Sequence, residues 1–220
     1  MTTLASRLRG FKLAGMANCL DTRVTYANSN SLSYSQFLEL LCEDEENSRR
    51  DSSHKRRYAR AKFPAHKTIE EFNFNFQQSI NKRQINDLST CQYIEEKRNI
   101  IFIGNPGTGK THLSIALAIK ALAQRYDVLF TSVSDMLYQL YISKADNSYH
   151  KKLHEYTSID LLVLDELGFK KLPEYSVDDF FDVISRRYER GSCIITTNKE
   201  LEQWGEGLGD KVLSAAILDR

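Results

Sequence analysis

The chain has 220 residues, with 30 basic against 29 acidic side chains and a formal charge of +1. That length buries a real core in one or two domains without disulfides or a structural metal, and the charge balance excludes a uniformly basic protein, so any nucleic-acid contact must rest on local charge. Cys19, Cys42, Cys91 and Cys193 stand far apart with no C-x-x-C pair and no His-rich companion segment, the pattern of reduced structural thiols in a cytoplasm. No apolar run approaches membrane-spanning length and the N-terminus lacks a signal-peptide pattern, so a soluble, cytoplasmic protein with no membrane partner is expected.

Taken in order, Leu4, Leu8, Phe11, Leu13, Met16 and Leu20 recur at mostly three- and four-residue steps, interrupted by Gly10 and Gly15, which predicts a short helix or helical pair. Residues 25–31 are polar and read as a loop, and Ser33 with Gln36 forms a capping box for the next helix. That helix turns strongly charged. Glu45–Arg49, Glu46–Arg50 and Asp51–Lys55 have the spacing of surface ion pairs, whereas Arg56, Arg57, Arg60 and Lys62 lack an acid at that spacing. Two readings stay open for these four: a solvated helix face, or contacts to DNA phosphates.

Phe63-Pro64 ends the helix, because proline disfavours helical geometry in the residue before it. Phe72, Phe74 and Phe76 alternate with asparagines, either as a base-stacking platform or, the favoured reading, as an extended piece packing one face on a core. A short helix over 84–89 follows. The domain boundary is expected near 67–75, giving a helical N-terminal DNA-binding or adaptor domain (1–66), a linker and lead-in (67–98) and a nucleotide-binding core (99–220).

The core begins with Ile100 to Ile103, four apolar residues without alternation that suggest a strand buried on both faces of a parallel sheet. Gly104, Gly107 and Gly109 then allow a tight turn whose N–H groups face an anion. Lys110 brings positive charge to the β- and γ-phosphates, the Thr111 hydroxyl suits Mg²⁺, and a helix over 110–126 points its positive end at the same phosphates. A strand over 127–131, a Ser-capped helix over 134–144, a buried strand ending in Asp165 and Glu166, a helix opened by a Ser176/Asp179 capping box and a strand over 193–197 ending at Asn198 complete the α/β pattern. These supply the parts of nucleoside triphosphate hydrolysis: Asp165 for Mg²⁺ opposite Thr111, Glu166 as general base for water, and Asn198 to orient that water or touch the γ-phosphate.

The stretches Gly-Asn-Pro-Gly-Thr-Gly-Lys-Thr-His-Leu-Ser, Leu-Leu-Val-Leu-Asp-Glu-Leu-Gly-Phe, Ser-Arg-Arg-Tyr-Glu-Arg-Gly-Ser and Thr-Thr-Asn-Lys-Glu resemble the IstB-like ATPases, helper proteins of bacterial insertion sequences. Lys12-Leu-Ala-Gly-Met16, Arg57-Tyr-Ala-Arg-Ala-Lys-Phe-Pro64, Trp204-Gly-Glu206 and Ala215-Ala-Ile-Leu-Asp-Arg220 follow the same pattern. The resemblance implies a P-loop AAA+ core, related to the DnaA initiator and DnaC-type helicase loaders, behind a small helical domain. It further implies ATP-dependent homo-oligomers on double-stranded DNA and a transposase encoded beside the helper. By it, ATP contacts run along Gly104, Asn105, Pro106, Gly107, Thr108, Gly109, Lys110, Thr111 and His112; Asp165 and Glu166 form Walker B, Asn198 sensor 1, and Arg220 the arginine finger acting on a neighbour's ATP.

The family continues past the position of Arg220 into a further helix and the last core strand, so the sheet edge beside the phosphate-loop strand is expected to be bare unless another chain or segment covers it, and nucleotide binding is expected to survive better than a fully competent oligomer. A DnaC-like replicative helicase loader, gripping a helicase and favouring single strands, is the alternative, and the match in the N-terminal region argues against it. A metabolic P-loop kinase is disfavoured by Asp165-Glu166, Asn198 and Arg220.

Overall fold

The computed structural model describes residues 3–77, 79–168, 174–200 and Trp204. Two compact units emerge, Met1–Arg56 and Arg57–Arg220.

In the first unit the expected helical pair is α1 (Leu4–Gly10) and α2 (Ala14–Ser29), and a long α3 (Tyr34–Ala61) follows. α2 runs through most of the stretch expected as a loop. Thr25 and Ser29 donate their hydroxyls to the carbonyls of Asp21 and Thr25, each at 3.0 Å, so these polar residues stay within the helix by bonding back one turn. The capping box forms as expected, with Ser33 N donating to Gln36 Oε1 at 2.9 Å and Gln36 N to Ser33 Oγ at 3.3 Å.

Glu45, of the charged run, is buried. Its carboxylate accepts from Gly15 N at 2.7 Å, Met16 N at 3.2 Å and Arg49 Nε at 2.7 Å. A side chain of α3 therefore satisfies the open N–H groups of α2, whose own cap residue Leu13 offers no side-chain bond. A Cβ on Gly15 would lie 2.7 Å from Asp44 O and Glu45 Cα, so only glycine lets the two helices approach this closely.

In the second unit α3 ends at Ala61, and Lys62 reverses the chain with φ +57°. The three phenylalanines form no strand: Phe74 and Phe76 lie in a turn, Phe72 and Phe74 pack inward and Phe76 is exposed. After α4 (Lys82–Leu88) and α5 (Gln92–Glu95), the sheet begins. Ala61, Ile69, Ile85 and Ile94 share one apolar cluster with the first core helix, so the division between units falls inside α3, ahead of the boundary expected at 67–75.

β1 (Ile100–Ile103), β2 (Val128–Ser132), β3 (Leu161–Leu167) and β4 (Ser192–Thr197) form a parallel sheet in the order β1-β4-β3-β2. α6 (Lys110–Ala123) and the segment from Ala61 to Ile94 cover one face. α7 (Val133–Ala145), α8 (Tyr149–Thr157), α9 (Glu174–Arg187) and Trp204 cover the other. β1 is not buried on both faces. Among the described residues it stands at the edge, with Ile101 36% and Ile103 37% exposed, because no described helix covers those side chains.

The serine capping α7 is Ser132, whose hydroxyl accepts from Asp135 N at 3.0 Å, and α8 has no counterpart in the expected elements. Ser176 and Asp179 lie inside α9 instead of opening it. Buried Asp179 accepts from Lys144 Nζ and the Tyr149 hydroxyl, both at 2.8 Å, and so joins α9 to α7 and α8. Among the described residues no helix is long and apolar enough to cross a membrane.

Candidate nucleotide site

Parallel strands bring their C-terminal ends to one rim, so β1, β3 and β4 deliver the phosphate loop, the carboxylate pair and Asn198 to a common edge. The strands define a cleft of about 340 Å³ lined by Pro106, Gly107, Gly109, Lys110, Thr111, Glu166, Thr196, Thr197 and Asn198. Gly107 and Gly109 have φ of +80° and +86°, the left-handed geometry that turns the loop into α6. Gly109 is also covered by the Phe72 ring, which leaves no room for a side chain there.

The Lys110 ammonium donates to Gly104 O at 2.8 Å and Asn105 O at 2.9 Å, folded over its own loop. Burial presses its pKa below the ordinary lysine value, and the negative charge of Asp165 opposes that. Thr108 Oγ1 donates to Asn105 O at 2.9 Å and stiffens the loop from within. His112 turns away from the cleft: its Nε2 lies 2.7 Å from Thr68 O, which requires a proton on that nitrogen, and its ring meets Phe72 edge-on at 5.3 Å.

Thr111 Oγ1 is 2.9 Å from Asp165 Oδ1 and 3.1 Å from Oδ2. Donation of the hydroxyl proton to the carboxylate leaves the Thr111 lone pairs free for a cation. An oxygen-only pair of this kind fits Mg²⁺, which takes one or two protein oxygens and fills its remaining positions with phosphate and water. Among the described residues no group of three or more His, Cys, Asp or Glu side chains gathers into a softer or larger metal site.

Glu166 is exposed to the cleft in a left-handed conformation, φ +63°, that a glutamate rarely adopts. Its place explains this. Leu164 pairs with Ile195 and Leu167 with Thr197, so Asp165 and Glu166 together face the single residue Thr196 in a β-bulge. Asn198 lines the same cleft, and its Oδ1 is buried without a hydrogen-bond partner among the described residues. Such an atom fits a site awaiting a donor, whether water or a ligand.

The structure thus gathers the phosphate loop, Thr111, Asp165, Glu166 and Asn198, and adds Thr196, which opens the Thr-Thr-Asn-Lys-Glu stretch but has no role in the sequence reading. Arg220 lies outside the described residues. Arg56 and Arg60 are exposed on α3, and Lys62 pairs with Glu155 at 3.1 Å, a tertiary acid that spacing along the helix does not reveal. Arg57 is half-buried, with its Nε buried and without a partner among the described residues.

The sequence signature of the family described as IstB-like ATP binding protein matches residues 6–220. The ATP-binding protein of insertion sequence IS5376 from Geobacillus stearothermophilus is 38% identical over 93% of this chain and 82% of its own length. That of IS21 from Pseudomonas aeruginosa is 34% identical over 100% and 82%, and that of IS232 from Bacillus thuringiensis subsp. berliner 36% identical over 99% and 87%. Among solved structures, AMPPCP-bound DnaA from Aquifex aeolicus superposes with a TM-score of 0.60 at 23% identity, over 70% of this chain and 48% of that one, so the likeness spans about half of DnaA. The DnaC helicase loader gives 0.56 at 24% identity, over 75% and 95%. These likenesses establish a P-loop AAA+ fold. With the family signature running along almost its whole length, the chain belongs to the IstB-like ATP-binding proteins of insertion sequences.

Proposed function

We propose that the chain is an ATP-dependent, DNA-binding helper of insertion-sequence transposition. It binds ATP with Mg²⁺, hydrolyses it to ADP and phosphate, assembles with copies of itself on double-stranded DNA in the cytoplasm and engages the transposase of the same element. The observation that carries the ATPase part is the convergence on one cleft of a phosphate loop, a Thr111–Asp165 oxygen pair, the outward-turned Glu166 and the Asn198 Oδ1, unpartnered among the described residues.

In this reading Lys110 exchanges its two loop carbonyls for β- and γ-phosphate oxygens. Thr111 and Asp165 hold Mg²⁺, which when bound supplies compensation for the charge of the phosphates. Glu166 takes a proton from the attacking water as that water's oxygen bonds the γ-phosphorus and the bond to ADP breaks. Asn198 holds the water or a γ-phosphate oxygen, and Arg220 serves the ATP of a neighbouring copy. Arg56, Arg57, Arg60 and Lys62 are the DNA-contact set. The free exposure of Arg56 and Arg60 favours them over Lys62, which already has an acid partner.

The test is binding of the chain and of Glu166→Gln to double- and single-stranded DNA of equal length, with and without ATP and Mg²⁺. Preference for duplex that requires ATP is the expected result. Preference for single strands identifies a helicase loader instead, and absence of nucleotide binding overturns both. Neutralising Arg56, Arg57 and Arg60 together is expected to weaken binding equally across DNA sequences and to flatten its salt dependence; an unchanged salt slope removes them from the DNA contact.

A further inference from the structure

In the bulge of β3, Glu166 N–H has left the regular ladder, and the atom that receives it is a side-chain oxygen: Glu166 N donates to Thr196 Oγ1 at 3.0 Å. The same hydroxyl is hydrogen-bonded to Asp165 Oδ1. A carboxylate only accepts, so the single Thr196 proton goes to Asp165 while a Thr196 lone pair takes the amide of Glu166. The chain of bonds therefore has one direction, from Glu166 N–H through Thr196 O–H to Asp165, which also receives Thr111 O–H. Thr196 is 2% exposed, on a strand paired on both sides, so its hydroxyl has little freedom to turn elsewhere.

We propose that Thr196 is a positioning residue of the site: its one hydroxyl fixes the Asp165 carboxylate for the metal and, through the neighbouring amide, holds Glu166 in the left-handed conformation that presents its carboxylate to the cleft. Valine at this position keeps shape and strand propensity and removes both bonds, leaving the Glu166 amide without its acceptor. Serine keeps both bonds. The inference rests on the reading of the cleft as a Mg–ATP site, and its test separates the two.

Wild type, Thr196→Val and Thr196→Ser are compared by binding of a fluorescent ATP analogue across a Mg²⁺ titration, by steady-state ATP hydrolysis, and by amide hydrogen exchange at Glu166 in the nucleotide-free protein. For Thr196→Val we expect unchanged affinity for nucleotide without Mg²⁺, about a tenfold rise in the Mg²⁺ needed for half-maximal effect, a kcat reduced at least about tenfold with KM nearly unchanged, and faster exchange at Glu166, all from loss of a buried bond between charged or strained partners. Thr196→Ser is expected to restore all of these.

A valine variant with wild-type Mg²⁺ dependence, or a serine variant as impaired as valine, overturns the proposal. So does unchanged exchange at Glu166. A wild type that binds nucleotide with no response to Mg²⁺ overturns the reading of the cleft itself. Should the valine variant fail to fold, Thr196→Ser against Thr196→Ala isolates the hydroxyl at equal loss of the methyl group.

Discussion

The two ends of the parallel sheet treat polar groups in opposite ways. At the N-terminal ends of the strands, Arg187 is 1% exposed, and its guanidinium donates to the carbonyls of Tyr156, Ile159, Asp160 and Ser192 at 2.7–3.1 Å and to Cys193 Sγ at 3.3 Å. Around it Asn99 Oδ1 accepts from Cys193 N at 2.7 Å, Asp160 Oδ2 from Asp127 N at 2.8 Å, and Ser192 donates to Tyr93 O at 3.0 Å. At the C-terminal ends, Lys110 rests on its own loop, Glu166 is strained and Asn198 Oδ1 has no partner among the described residues. One end uses polar groups to complete the fold; at the other, among the described residues, they line an open cleft. Stability and function are thus separated along the strands, and the separation can be attacked from either side.

The largest effect is expected at the satisfied end. Arg187→Met leaves several buried carbonyls without donors, each costing about 1–3 kcal/mol, so urea denaturation should show a loss of at least about 4 kcal/mol or an unfolded protein; a loss under about 1 kcal/mol would mean that water replaces the guanidinium and the comparison fails. At the open end, Glu166→Gln is expected to slow hydrolysis about 10²- to 10⁴-fold while nucleotide binding and thermal stability stay as in the wild type. Equal loss of binding would show that Glu166 holds nucleotide and is not the base.

A subtler test uses the strain. Glu166→Gly removes the side chain for which φ +63° is unfavourable, and is expected to raise stability by up to about 1 kcal/mol while abolishing turnover. A fall in melting temperature would place the strain elsewhere. The smallest effect concerns pH. If Lys110 holds the phosphates as proposed, it does so only as the ammonium, so nucleotide affinity is expected below its pKa and lost as pH rises through it. Because burial lowers that pKa in the free protein, affinity should decline at a milder alkaline pH than an exposed lysine would give, and Lys110→Arg should abolish the decline.

Much of this was legible in the sequence because it is local. The order strand, glycine loop, lysine, helix is written contiguously, and the strands at 128–132, 161–167 and 192–197 announce themselves as apolar runs. What escaped is set by neighbours distant in sequence. An apolar run such as Ile100–Ile103 does not say whether a helix will cover its outer face, and Ile101 and Ile103 remain exposed. α8 buries only Leu153 and Tyr156 among charged and polar residues, too few to mark a helix by periodicity. Thr196 is an ordinary strand residue until a bulge two strand positions wide is set against it, and Lys62 lacks an acid only if the search is confined to its own helix.

Trp204 is the one tryptophan of the chain. It is 3% exposed within the apolar cluster under α7 and α9, and its indole N–H points to Lys199 O at 3.4 Å, next to Asn198. Excitation at the red edge of the indole band, where the eleven tyrosines absorb little, therefore reports on one side chain, hydrogen-bonded to the residue next to Asn198. Its emission should be that of a sheltered indole, and a change in wavelength or quenching on adding nucleotide is a signal from the surroundings of Trp204, readable in the unlabelled protein on a stopped-flow timescale.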